Sequence, residues 1–179
     1  MELIDFPRRG IDGREYLREE IETAYKGNLV NEISDALDKI NAKTVCEKKC
    51  IRLLKKHLEG LLLARPDKLE RIKNWSDRHS LFGKESKSRT EEFKKEILAA
   101  FGYDNRYRGV HLVKHAERLN VKTCCYCNMN YTLLIEEKRA KSIDKKALMQ
   151  FDHFYDKALY PHLSMSMYNL VPSCGTCNQ

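Results

Sequence analysis

Tyr168-Asn-Leu-Val-Pro-Ser-Cys-Gly-Thr-Cys-Asn178 carries two cysteines separated by two residues, and Cys124-Cys-Tyr-Cys127 repeats that spacing earlier in the chain. Each C-x-x-C can present two thiolates to one side of a tight turn, and two such knuckles make a four-ligand site for a tetrahedral ion such as zinc. The intervening stretch, Asn128 to Ser173, is longer than the span between the knuckles of a zinc ribbon, so something is inserted between them. The seven cysteines, at 46, 50, 124, 125, 127, 174 and 177, are odd in number. The N-terminus, Met1-Glu-Leu-Ile-Asp-Phe-Pro-Arg-Arg9, puts acids where a secretory signal needs a basic region followed by an apolar one. Both features disfavour a disulfide framework, and the expected location is the cytoplasm. A redox pair at Cys124 and Cys127 is the weaker reading, because a second matched pair favours metal over disulfide exchange. Cys125 is an alternative ligand or, preferably, a spare buried thiol. Cys46 and Cys50 read as two small apolar residues on one helix face, with little to support a second metal site with His57.

Working outward, the 179 residues suffice for one domain, or for a helical region carrying one small module. With 42% hydrophobic and 33% charged residues but only 8 Gly and 4 Pro, the chain reads as a helix-rich globule, not a disordered or collagen-like one. No apolar run approaches the roughly eighteen residues of a membrane span. The net charge of +7 makes an anionic partner plausible without localising a binding face. Helical periodicity runs through Tyr16, Leu17, Ile21 and Ala24, then Leu29, Ile33, Ala36, Leu37 and Ile40. A long helix is expected from about Thr44, with Val45, Ile51, Leu54, Leu58, Leu61 and Leu62 spaced for burial, until Pro66 opens the next. Leu81 to Arg89 reads as a loop, Thr90 to Phe101 as a helix ending at Gly102, and Gly109 to Leu119 as a further helix with His111 and His115 on a half-exposed face.

Around Asn120 the pattern changes. Asn128-Met-Asn130 is a turn signal, and Tyr131-Thr-Leu-Leu-Ile135 reads as a strand. Glu136 to Lys146 is expected to be a loop tip or short helix, whose Lys138, Arg139, Lys141, Lys145 and Lys146 are candidate phosphate contacts. Met165 and Met167 read as packing, and His162 has no evident partner. Gln150-Phe-Asp-His-Phe-Tyr155 is a short aromatic strand presenting Asp152 and His153. Hydrolysing a phosphodiester needs a base for water and a cation for the phosphate and leaving oxygen. His153 suits the base, and an amide such as that of Asn169 can hold its ring. Asp152 and Asn178 offer hard oxygens to Mg2+ or Mn2+. Since adjacent strand residues face opposite ways, Asp152 and His153 can serve one site only where the strand bends or ends.

Taken together, Cys124-Cys-Tyr-Cys127, Phe151-Asp-His-Phe154, Tyr160-Pro161 and Tyr168 to Asn178 resemble the zinc-supported HNH endonucleases, and within them the bacterial anti-phage nucleases of the Septu and retron-associated kind. The resemblance covers about residues 120–179. It implies a ββα-metal fold in which His153 is the general base, Asn169 positions it, Asp152 and Asn178 bind a catalytic Mg2+ or Mn2+, and the four cysteines hold a structural zinc. The expected fold is therefore mainly α, with a helical region over 1–119 that docks a partner and an HNH module over 120–179. Family members continue past the Cys-Asn pair into a last helix, whereas this chain stops at Gln179, so the module is expected to be truncated or completed by a partner. The implied partners are DNA and an ATPase of a defence complex, with no membrane. The competing expectation is a zinc-stabilised nucleic-acid-binding or adaptor module without cleavage.

Overall fold

The computed structural model describes residues 28–83, 86–103, 113, 115, 116, 121–139 and 142–178. The helix expected around Tyr16 to Ala24 lies outside these residues, as does most of Gly109 to Leu119, of which Val113, His115 and Ala116 are helical. The described residues form four α-helices, α1 (Asn28–Asp38), α2 (Val45–Leu62), α3 (Pro66–His79) and α4 (Lys87–Phe101), and four strands, β1 (Leu133–Arg139), β2 (Ser142–Leu148), β3 (Gln150–His153) and β4 (Leu170–Ser173). The fold is thus mainly helical. Among the described residues no helix is long and apolar enough to cross a membrane. By internal contacts the chain falls into two units. One draws its described residues from within Arg106–Asp152 and Val171–Gln179, the other from within Lys26–Asn105 and His153–Leu170.

In the first unit, β1 and β2 form an antiparallel hairpin in which Leu133 faces Leu148, Glu136 faces Lys145 and Arg139 faces Ser142. The stretch expected as a loop tip or short helix is therefore a two-stranded ribbon. The run of charges from Glu136 to Lys146 conceals the strands from a reading of composition, and the pairing emerges only in the register. The register separates the candidate phosphate contacts. Positions 138 and 145 fall on one face of the ribbon and 139 and 146 on the other, while Lys141 lies outside the described residues. Phe151 on β3 is buried beside the His115 ring, at 5.4 Å between centroids. His115 is therefore a core residue and not part of a half-exposed face, because Phe151 covers it.

In the helical unit, α1 buries Leu29, Ile33 and Leu37 completely, one residue per turn, against α2 and α4. Thr44 caps α2 with its hydroxyl on the Glu47 amide (3.2 Å), and Glu47 returns a carboxylate to the Thr44 amide (3.3 Å), closing a capping box. The same carboxylate is buried and takes a forked ion pair from Arg89 on α4, at 2.7 and 2.9 Å. Hydrogen bonding from Arg89 holds the Glu47 carboxyl below the usual range despite its burial. The core stripe of α2 is consequently Glu47, Cys50, Leu54, Leu58, Leu61 and Leu62. Val45 precedes that stripe and is exposed, not buried, and of the two cysteines of this helix Cys50 is buried and Cys46 exposed. Pro66 occupies the first turn of α3. Ser86 caps α4 through the Arg89 amide, so this helix starts three residues before the expected Thr90, and Gly102 ends it at φ 71°.

Residues 161–170, all buried except the half-buried Tyr168, form a core layer of this unit. A 3₁₀ turn at Pro161–Leu163 packs on α2 and α4, and another at Met167–Asn169 packs on α3. His162, Leu163, Ser164, Met165, Ser166 and Met167 are all buried. The buried hydroxyls are tolerated because each donates to a carbonyl: Ser164 to Pro161 (2.7 Å) and Ser166 to Leu61 in the last turn of α2 (2.7 Å). His162 is the exception. Neither ring nitrogen has a hydrogen-bond partner, and its neighbours are the Phe82 and Tyr160 rings. Burial lowers its pKa from 6.5 to about 3, against a smaller opposing effect of Asp77. The unfolded chain therefore takes up this proton first as pH falls. Stability should decline below pH 6.5 and level off near pH 3, with a slope contribution of about 1.4 kcal/mol per pH unit between them. Urea unfolding from pH 7 to 4 should show His162→Leu losing that part of the slope; an identical slope in the variant would refute the assignment.

Candidate functional site

The cysteine cluster is built from two turns of the first unit. In the first, the Cys124 amide donates to the Asn130 carbonyl (2.8 Å) and the Asn128 amide to the Cys124 carbonyl (2.9 Å), with Asn128 at φ 51°. In the second, the amides of Cys177 and Asn178 both donate to the Cys174 carbonyl (3.1 Å each). The four Sγ atoms of Cys124, Cys127, Cys174 and Cys177 lie within 4.8 Å of one another, and Cys127 and Cys174 are 4.0 Å apart. That separation is far beyond a disulfide bond. It is close to the edge of a tetrahedron around an ion with bonds of about 2.3 Å to sulfur, roughly 3.8 Å. The four thiols can therefore hold one metal ion, and among the described residues they are the one group of three or more His, Cys, Asp or Glu side chains so placed. Cys125 stands outside the cluster and is exposed, not buried, because the turn directs Cys124 and Cys127 inward.

A residue read only as a turn signal supports the cluster. Asn130 donates its side-chain amide to Cys174 Sγ at 3.2 Å. This bond, with the Cys177 amide, draws the Cys174 thiol down to about 6 and so favours the ligating thiolate. Sharing between thiols has the opposite effect on Cys177, whose contact with Cys174 pushes it up to about 12.

In the same unit, Asp152 on β3 accepts a hydrogen bond at Oδ2 from the Tyr126 hydroxyl, 2.6 Å long. Burial and then the carboxylate itself push the Tyr126 hydroxyl well above its ordinary range, which keeps it a donor. Asn178 donates its side-chain amide to Gln150 Oε1 on β3 at 2.8 Å. That bond leaves the amide oxygen as the remaining polar atom of the Asn178 side chain, an oxygen of the kind that hard cations take, like those of the Asp152 carboxylate.

His153, the next residue of β3, belongs to the helical unit. Its Nε2 lies 3.0 Å from the Ser164 carbonyl oxygen, and the Tyr103 ring meets it at 4.3 Å and 72°. Lys157 places its ammonium 4.7 Å from the centre of that same Tyr103 ring. Asn169 is fully buried, and its amide bonds run to backbone: Oδ1 accepts from the Tyr155 amide (2.7 Å), while Nδ2 donates to the carbonyls of Tyr155 (3.1 Å) and Leu163 (2.9 Å). It was expected to hold the imidazole itself. It instead holds the loop next to Ser164, whose carbonyl meets the ring. The strand β3 ends at His153.

Sequence reasoning missed Tyr126, Asn130, Gln150 and Ser164. Tyr126 and Gln150 had usable signals, the first between two metal ligands and the second two residues before Asp152, hence on its side of the strand. A backbone carbonyl such as that of Ser164 leaves no signal in side-chain identity. Comparison with protein-family models, with curated proteins and with solved structures finds no match to the chain. Metal analysis of the purified protein should give about one zinc ion per chain, with Cys174→Ser losing most of it. A metal-free wild type, or undiminished content in the variant, would remove the four-thiol site.

Proposed function

We propose that the chain is a metal-dependent HNH endonuclease that hydrolyses DNA phosphodiester bonds, with zinc in the four-cysteine cluster. The observation that carries this reading is the His153 imidazole held at Nε2 by a backbone carbonyl. A carbonyl has no proton to give, so Nε2 carries the hydrogen in the neutral ring and Nδ1 carries the lone pair. Nδ1 is then the atom that takes a proton from water as the water oxygen attacks phosphorus and the bond to the leaving oxygen breaks. Tyr103 packs against the ring and restricts its rotation, while Asn169 holds the loop that supplies the Ser164 carbonyl. Asp152 and Asn178 are the residues that would hold Mg2+ or Mn2+. Such an ion, when bound, stabilises charge on the scissile phosphate and the leaving oxygen.

The resemblance of the motifs to anti-phage nucleases extends the reading to a defence effector working in the cytoplasm with an ATPase partner, docked through the helical region. The chain's +7 charge is compatible with a DNA substrate, and Lys138, Arg139, Lys141, Lys145 and Lys146 remain candidates for phosphate contact. Plasmid nicking with Mn2+ or Mg2+, by the chain alone and with its ATPase partner, tests the whole. His153→Ala should reduce the rate by about 10²–10⁴-fold while leaving DNA binding intact. Nicking that survives this substitution would exclude His153 as the base. DNA binding with no cleavage under any metal would favour the binding module.

A further inference from the structure

We propose that Tyr126 is a positioning residue that couples the four-cysteine cluster to the catalytic cation, by holding Asp152 in its ligating orientation. The proposal rests on the reading of Asp152 as a cation ligand and adds a second role for the first knuckle. Tyr126 lies between Cys124 and Cys127, so both ends of its short segment are tied to the cluster. The segment is pinned again by the Cys125 amide, which donates to the Pro172 carbonyl of β4 at 3.2 Å. A tyrosine fixed in this way has little freedom to follow a moving carboxylate, so the carboxylate conforms to the tyrosine.

Core packing does not account for the side chain. The residue is 42% exposed, and its hydroxyl reaches Asp152, 26 residues further along the chain, in a 2.6 Å bond. A phenol donor on one carboxylate oxygen restricts rotation about the Cβ–Cγ bond and fixes the directions from which a cation can approach. Asn178 is restrained in the matching way. It adjoins Cys177, and its amide nitrogen is held by Gln150, which sits on the same strand as Asp152. The two bonds cross between the knuckles and β3: the first knuckle reaches to Asp152, and β3 reaches to the second knuckle. Both candidate cation ligands are thus oriented by side chains of the unit that contains the cysteines.

The test is Mn2+ binding by the zinc-loaded full chain, followed by electron paramagnetic resonance, together with the Mn2+ dependence of nicking. Tyr126→Phe removes only the hydroxyl. It should weaken Mn2+ binding about 10-fold or more, with zinc content and thermal midpoint unchanged. The Mn2+ concentration for half-maximal nicking should rise by the same factor, while the rate at saturating Mn2+ falls much less. A merely structural role would not produce that split. Asp152→Ala is the reference, expected to abolish the Mn2+ site. Wild-type affinity in Tyr126→Phe alongside its loss in Asp152→Ala would overturn the proposal and leave the nuclease reading standing. No Mn2+ binding by the wild type, or undiminished binding in Asp152→Ala, would remove Asp152 as a ligand and the proposal with it.

Discussion

The convergence of four cysteine sulfurs is the constraint on which the first unit depends. Cys127 and Cys174 are 47 residues apart in the chain and 4.0 Å apart in space. Bringing such distant segments together has an entropic cost that grows slowly with loop length, and an ion held by four thiolates would offset it, because binding there is also folding. At Cys174 the Asn130 side chain and the Cys177 amide are donors that favour anionic sulfur. Through Tyr126 and Asn178 the same turns reach the side chains of β3. A metal centre that shaped only the backbone would need neither contact.

The helical unit obeys a different constraint. Residues 161–170 sit in its core although they contain a histidine, serines and an asparagine, and apart from His162 the buried polar side chains among them are hydrogen-bonded, as burial of such groups requires if its cost is to be offset. Asn169 answers to three backbone groups, and Ser166 to the end of α2. The result is a stiff loop whose Ser164 carbonyl meets His153. Stiffness of this kind suits a base, since proton transfer depends on a ring that is already oriented when the reaction begins. Glu47 and Arg89 play a comparable part elsewhere in the unit, joining the cap of α2 to the first turn of α4 by a forked pair.

Much of the architecture was legible from local rules. The stripe of Leu29, Ile33 and Leu37, the break at Pro66, the helix end at Gly102 and the burial of Met165 and Met167 all follow from periodicity and terminal preferences. Where local rules failed, a longer-range partner had intervened. Val45 is exposed because Glu47, an acid, takes the core position once Arg89 is opposite it. The β1–β2 ribbon was obscured because its charges resemble a solvated loop until the strands are set in register. His115 was placed on a half-exposed face because nothing near it in sequence announces Phe151.

The sequence by itself determined that two C-x-x-C turns would supply four thiols, that much of 28–101 would be helical, and that Asp152 and His153 would stand at a short strand. These properties depend on residue type and spacing within a few turns of chain, where steric and hydrogen-bonding preferences act directly. Only the tertiary structure decided that the four sulfurs meet, that Tyr126 holds Asp152, and that Asn169 acts on backbone and not on the imidazole. It alone set Ser164 against His153 and grouped residues 153–170 with the helices. Those outcomes depend on pairs of groups apart in the chain, which come within bonding distance only once the fold has brought their segments together.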